Sequence, residues 1–174
     1  MTVIASDGIH IVADGMKILG QSEIAELNVR KIKVRENTIF AVTGAAALLD
    51  VLAEWYLAGC NPKATPVIGG DVTWTLIVIA TSGGPLKFSH TLPYPERWSY
   101  PMSAGIGADY AMAAMLAGAS ARRAVEIACA KDAFCGGEIQ VVNIAEVLGL
   151  GGPNHPSRSR LAAATLPQRL VHPA

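Results

Sequence analysis

The first fifteen residues, Met1-Thr2-Val3-Ile4-Ala5-Ser6-Asp7-Gly8-Ile9-His10-Ile11-Val12-Ala13-Asp14-Gly15, constrain the rest of the chain most. Two apolar runs, Thr2–Ala5 and Ile9–Ala13, flank Asp7-Gly8. Asp-Gly between β-branched runs predicts a hairpin closed by a type I′ turn, because glycine accepts positive φ. A hairpin this early holds inside a sheet a terminus that ordinarily frays. The residue it holds is Thr2, which becomes the first residue once Met1 is removed. A terminal threonine carries a hydroxyl and a primary amine on adjacent carbons. A free α-amine titrates near ~7.7–8.0, so at neutral pH it serves as general base for that hydroxyl. The pair is an activated nucleophile.

Bulk properties narrow the class. At 174 residues the chain fits one domain. Hydrophobic residues reach 51% and charged residues only 16%, rich enough in apolar side chains to expect surface buried between subunits. Fourteen Lys and Arg balance fourteen Asp and Glu, so no charge points to nucleic acid or to an anionic membrane. No apolar run approaches the ~20 residues of a membrane span, and the start does not read as a signal peptide. Cys60, Cys129 and Cys135 lack C-x-x-C spacing and read as reduced thiols of a cytoplasmic protein; four scattered histidines make no zinc motif.

Along the chain, Met16–Gly20 is a short apolar run and Gln21–Asn28 reads as a loop. Val29–Val34 alternates apolar and basic, the period of a half-buried strand. Glu36-Asn37 turns it into a second strand, Thr38–Thr43. Gly44 is expected to open a helix that Gly59 closes. Cys60–Asp71 is a connection, Val72–Thr81 and Pro85–Leu92 are strands around Ser82-Gly83-Gly84, and Pro93-Tyr94-Pro95 reads as a break. Ser103–Gly107 is a short strand. Ala108–Ala117 is an alanine-rich helix, and Ser120 caps another that runs to Ala130. Glu138–Ile144 is a last strand. This divides the chain into a folded region, 1–148, and a Pro-, Ala- and Arg-containing tail, 149–174, expected to be peripheral or mobile. Strand runs broken by helices without strict alternation argue for antiparallel sheets with helices packed outside.

Six stretches, in order, resemble proteasome β-type subunits: Thr2-Val3-Ile4-Ala5, Ala13-Asp14-Gly15, Val29-Arg30-Lys31-Ile32, Thr43-Gly44-Ala45-Ala46, Gly105 to Ala111, and Asp132-Ala133-Phe134-Cys135-Gly136-Gly137. The sequence looks most similar to the short bacterial peptidases of that family: the peptidase subunit of the two-component ATP-dependent protease and the proteobacterial proteasome homologues. The resemblance implies an α+β fold, the four-layer αββα sandwich of the N-terminal nucleophile hydrolases. It also implies stacked homo-oligomeric rings, polypeptide substrates, a partner ATP-dependent unfoldase, and no metal or organic cofactor.

It further implies roles. Thr2 matches the nucleophile, Lys31 the catalytic lysine and Asp14 the acid that holds it. Alternation puts Lys31 and Lys33 on one strand face and Arg30 on the other, so the pattern alone cannot select Lys31. Gly44 matches the residue whose N–H stabilises the oxyanion, which suits a glycine at a helix start. Val42 and Ala46 match positions lining the substrate pocket. Asp132 and Cys135 match an Asp-x-x-Ser that supports the terminal amine, with a thiol, a weaker hydrogen-bond partner, in place of the hydroxyl. Ile106 replaces the usual serine near that amine. The expected function is a threonine-type endopeptidase subunit of a self-compartmentalised ring. Its rivals are an inactive structural ring subunit and an N-terminal nucleophile amidase acting on a small molecule.

Overall fold

The computed structural model describes residues 2–19, 23–66 and 72–150. Strands β1 (Val3–Ser6) and β2 (His10–Ala13) form the expected hairpin, with Ile4 opposite Ala13 and Ser6 opposite Ile11. Its connection differs from the expected turn. A three-residue loop, Asp7-Gly8-Ile9, joins the strands, and within it only Gly8 has positive φ. The Asp7 carboxylate organises the loop by accepting from the N–H groups of Ile9 (2.9 Å) and His10 (2.8 Å). The type I′ turn lies instead at Glu36-Asn37, where φ is 49° and 55° and Arg35 pairs with Thr38.

β3 (Lys17–Leu19) pairs with β4 (Glu23–Glu26), so part of the segment read as a loop is a strand. β5 (Ile32–Arg35) starts later than the alternation implied, leaving Val29–Lys31 irregular. β6 (Thr38–Gly44), β7 (Trp74–Ile79), β8 (Leu86–Ser89) and β9 (Leu92–Arg97) continue from it as an antiparallel meander. β9 overturns the reading of Pro93-Tyr94-Pro95 as a break. It is the edge of its sheet, where a missing N–H is tolerated. β10 (Met102–Gly105) and β11 (Gln140–Asn143) complete a second sheet in the order β10-β1-β2-β11. β1 is therefore an inner strand, paired on both sides.

The helices are α1 (Leu48–Leu57), α2 (Ala108–Leu116), α3 (Ala121–Lys131) and the short α4 (Ile144–Val147), which the sequence reading missed. Three apolar layers hold the structure together. Ile4, Ile11, Ile39 and Ile77 fill the space between the sheets, closed at one end by Ile144 and Leu148. Val3, Ala5 and Val12 face the alanine-rich sides of α2 and α3, and small side chains let these helices lie close to the sheet. Phe40, Val42, Leu76 and Phe88 face α1. There Trp55 and Tyr56 meet Phe88 edge-on, with ring centroids 5.3 and 5.9 Å apart. Each fully buried large side chain contributes about 1.5–3 kcal/mol. The order is helices, sheet, sheet, helix: the four-layer αββα arrangement.

The first hairpin is tied to the helical layer by its loop. Asp7 Oδ2 accepts from the Ala121 N–H (2.9 Å) at the start of α3, while Ser120 Oγ accepts from Arg123 N–H. Burial opposes ionisation of Asp7, yet the N–H groups of Ala121, His10 and Ile9 hold its carboxyl below the usual range.

Candidate active site

The structure assembles a site at one end of the sandwich, where β1 begins and β2 ends. Asp14 follows β2 and is wholly buried. Its Oδ1 accepts from the Val3 N–H (2.9 Å) and from Lys31 Nζ (2.8 Å), and its Oδ2 accepts from the Gly136 N–H (3.1 Å). One carboxylate thus ties the peptide next to Thr2, the ammonium of Lys31 and the turn after α3 into a single cluster. Charge-assisted bonds of this kind are the strong ones.

Lys31 is 2% exposed. Burial pulls its pKa below the ordinary lysine value, and Asp14 opposes that shift by favouring the charged form. Lys33, two residues on, behaves differently: it reaches Asp50 on α1 in a solvent-facing pair. The geometry therefore separates two lysines that alternation placed on one face. The irregular backbone before β5 accounts for this, since the period-2 rule holds only within a strand.

Thr2 is 1% exposed, and its Oγ1 has no hydrogen-bond partner among the described residues. An orphaned buried hydroxyl is uncommon in a native interior. Gly105, opposite Val3 at the end of β10, has φ of +96°, and a side chain there would collide with the Thr2 carbonyl. Only glycine lets β10 approach the threonine this closely. Ile106 follows directly and is 47% exposed.

Gly44 does not open a helix. It ends β6 opposite Trp74 with φ of +90°, and a Cβ there would strike the Thr73 carbonyl. The turn Ala45–Ala47 separates it from α1. Gly44 lines a cleft of about 420 Å³, with Lys31, Val29 and Arg30 on one wall, Met16–Ile18 on another, and Ala45, Ala46 and Ala47 beside it. Ala46 is thus at the cleft, whereas Val42 is not: it packs in the layer against α1.

Asp132 and Cys135 flank the turn that follows α3. Asp132 ends α3, and its Oδ1 accepts from the Phe134 N–H (2.8 Å), which shapes the turn leading to Gly136. No described bond joins it to Thr2. Cys135 is 3% exposed in the apolar layer with Val3 and Ala128. Its Sγ lies so near Gly107 that a Cβ there would be 2.8 Å away. Burial, and then Asp14, push its thiol up to about 12, so it is neutral at physiological pH. Cys129 is raised in the same way, to about 11.

Sequence reasoning missed two contributors: the Gly136 N–H on Asp14, and Gln140, whose side chain bonds the backbone around Lys31. A glycine in a turn and a glutamine in an apolar run carry no sequence signal for such roles. Among the described residues, no group of three or more His, Cys, Asp or Glu is placed to hold a metal, and no helix is long and apolar enough to cross a membrane. The expected tail lies, from residue 151 on, outside the described residues.

No protein-family model matches the sequence, and no curated protein matches it. Solved structures do. The chain is similar to a eukaryotic HslV from Trypanosoma brucei at 18% identity and a TM-score of 0.60, with 82% of this chain and 98% of that chain covered. It is also similar to BPH from Thiobacillus denitrificans. One BPH structure gives 22% identity and a TM-score of 0.61 over 83% and 98% of the two chains. Another, in complex with Epoxomicin, gives 19% and 0.60 over 83% and 99%. The architecture shared with these structures is the four-layer αββα sandwich.

Proposed function

We propose that this chain is a threonine-type endopeptidase subunit of a compartmentalised ring protease, active once Met1 has been removed from Thr2. The observation that carries the reading is the arrangement around Asp14: one oxygen holds both the ammonium of Lys31 and the peptide beside Thr2, whose buried hydroxyl has no partner among the described residues. A buried cation favours the deprotonated form of a neighbouring hydroxyl. The released α-amine takes the Thr2 proton as the oxygen attacks a peptide carbonyl. Gly44 N–H serves the oxyanion, and the substrate side chain enters the cleft beside Ala46. The amine returns its proton to the leaving nitrogen as the C–N bond breaks, leaving an ester on Thr2. Water, deprotonated by the same amine, releases the acid.

The fold shared with HslV and BPH supports the assembly half of the reading: stacked rings that enclose the sites, an ATP-dependent unfoldase that feeds them with unfolded polypeptide, and a cytoplasmic setting. A second reading, an inactive ring subunit, draws on Ile106 and on the core placement of Cys135. Intact mass and N-terminal sequencing, combined with fluorogenic peptide hydrolysis and labelling by epoxomicin, separate the two. The expected result is loss of Met1, turnover, and one adduct on Thr2. A protein that demonstrably retains Met1 and cleaves at the same rate overturns the mechanism; a processed protein that neither cleaves nor labels supports the inactive subunit.

A further inference from the structure

Gln140 stands on β11 opposite Ala13, the residue before Asp14. Its side chain leaves the β10-β1-β2-β11 sheet and reaches the irregular backbone that precedes β5 in the meander. Oε1 accepts from the N–H groups of Lys31 (2.9 Å) and Ile32 (3.3 Å), and Nε2 donates to the Val29 carbonyl (2.5 Å). Among the described residues β5 is the edge strand of its sheet, and on this side no described strand neighbours the backbone of residues 29–32. The amide of Gln140 supplies the missing rungs, bonding one carbonyl and two N–H groups across the gap between the sheets. Facing β6, the Lys31 carbonyl accepts from the Val42 N–H (3.1 Å), and Val29 N–H donates to Gly15 O (2.9 Å), just beyond Asp14.

We propose that Gln140 is a positioning residue for Lys31, fixing the main chain from which the ammonium reaches Asp14; this rests on the peptidase reading above. The need for it is physical. Lysine is a flexible four-carbon stem, so its ammonium is only as well placed as its backbone and its terminal partner make it. Asp14 holds the tip, and Gln140 holds the root. A misplacement of about 1 Å at a reacting group costs on the order of 10²-fold in rate.

Two variants test this. Gln140→Met keeps the length of the side chain and removes its hydrogen bonds. Gln140→Glu keeps an acceptor for the two N–H groups and loses the donor to Val29. Peptide hydrolysis in assembled protein should show kcat lower by about 10–100-fold in Gln140→Met, with KM within about twofold, and an intermediate loss in Gln140→Glu. Hydrogen exchange should rise in residues 28–33 of Gln140→Met, while β1 and β2 keep their protection. Unchanged exchange there overturns the proposal, as does a loss carried by KM alone, an equal loss in both variants, or loss of protection throughout β1 and β2. If the processed wild-type protein hydrolyses no peptide, the peptidase reading fails, and the exchange comparison alone decides whether Gln140 holds the Lys31 backbone.

Discussion

Replacing Asp14 by Asn removes one charge and almost no volume, so its effect is electrostatic. Three donors converge on Asp14: Val3 N–H, Lys31 Nζ and Gly136 N–H. An asparagine has one oxygen and one NH₂, so whichever way the amide turns, the NH₂ faces a donor. Removing one partner of a buried ion pair costs about 3–5 kcal/mol. Lys31 sets a ceiling of its own, because it can shed its proton instead. Bringing a lysine from 10.5 to neutrality near pH ~7 costs at most about 5 kcal/mol, at 1.36 kcal/mol per pH unit. The two figures agree, and the second gives the sign with pH. In the variant the folded lysine is neutral while the unfolded one remains charged up to 10.5, so the unfolded state binds more protons. Stability of the variant then rises by about 1.4 kcal/mol per pH unit over that window. The wild-type protein shows this slope only above the pH at which its Asp14-paired lysine loses its proton. Urea unfolding at fixed protein concentration, near pH ~7 and near pH ~9, should show a deficit of roughly 3–5 kcal/mol that shrinks by about 2–3 kcal/mol at the higher pH. A deficit below about 1 kcal/mol, or one that does not change with pH, refutes the argument that the pair is buried and charged.

Lys31→Ala should abolish peptide turnover in assembled protein, whereas Lys33→Ala, which loses only the solvent-facing pair with Asp50, should cost less than about 1 kcal/mol and leave the rate intact; equal rate losses would mean that Lys31 has no special role. Ile106→Ser should raise hydrolysis per assembled ring by roughly tenfold, about 1.4 kcal/mol of barrier, by giving the Thr2 amine a hydroxyl. Because Ile106 is 47% exposed, little packing is lost in that exchange, and an unchanged rate would remove Ile106 from the base network. Cys135 should resist iodoacetamide in the native protein and react once unfolded, since its thiol is buried and raised to about 12; rapid native alkylation would contradict its place in the core.

What the sequence made legible follows from local chemistry. The β1–β2 hairpin, the Glu36-Asn37 turn and the Ser120 cap each depend on a few adjacent residues, and the structure has all three. Asp14 and Lys31 were singled out through a resemblance, and the structure pairs them. The misreadings share a cause: a partner distant in sequence. Gly44 reads as a helix start until its pairing with Trp74 is seen. Pro93 and Pro95 read as breakers because nothing local shows that β9 is an edge. Gln140 was invisible because its function is to complete another segment's backbone bonding, more than a hundred positions away in the chain.

The inner position of β1 also sets when the site can come into being. The β1–β2 hairpin is local and closes within microseconds, of order 1–10 μs for such elements. Pairing of Val3 with Gly105 closes a loop on the order of a hundred residues, and contacts of that span form late and slow folding. The Gly136 and Gln140 contacts come from later still. During synthesis Thr2 and Lys31 therefore precede by many residues the Gly105, Gly136 and Gln140 neighbours that organise them. On the peptidase reading proposed above, a partly made or partly unfolded chain would hold its nucleophile without these surroundings, so hydrolytic competence would appear only in a chain that has finished folding.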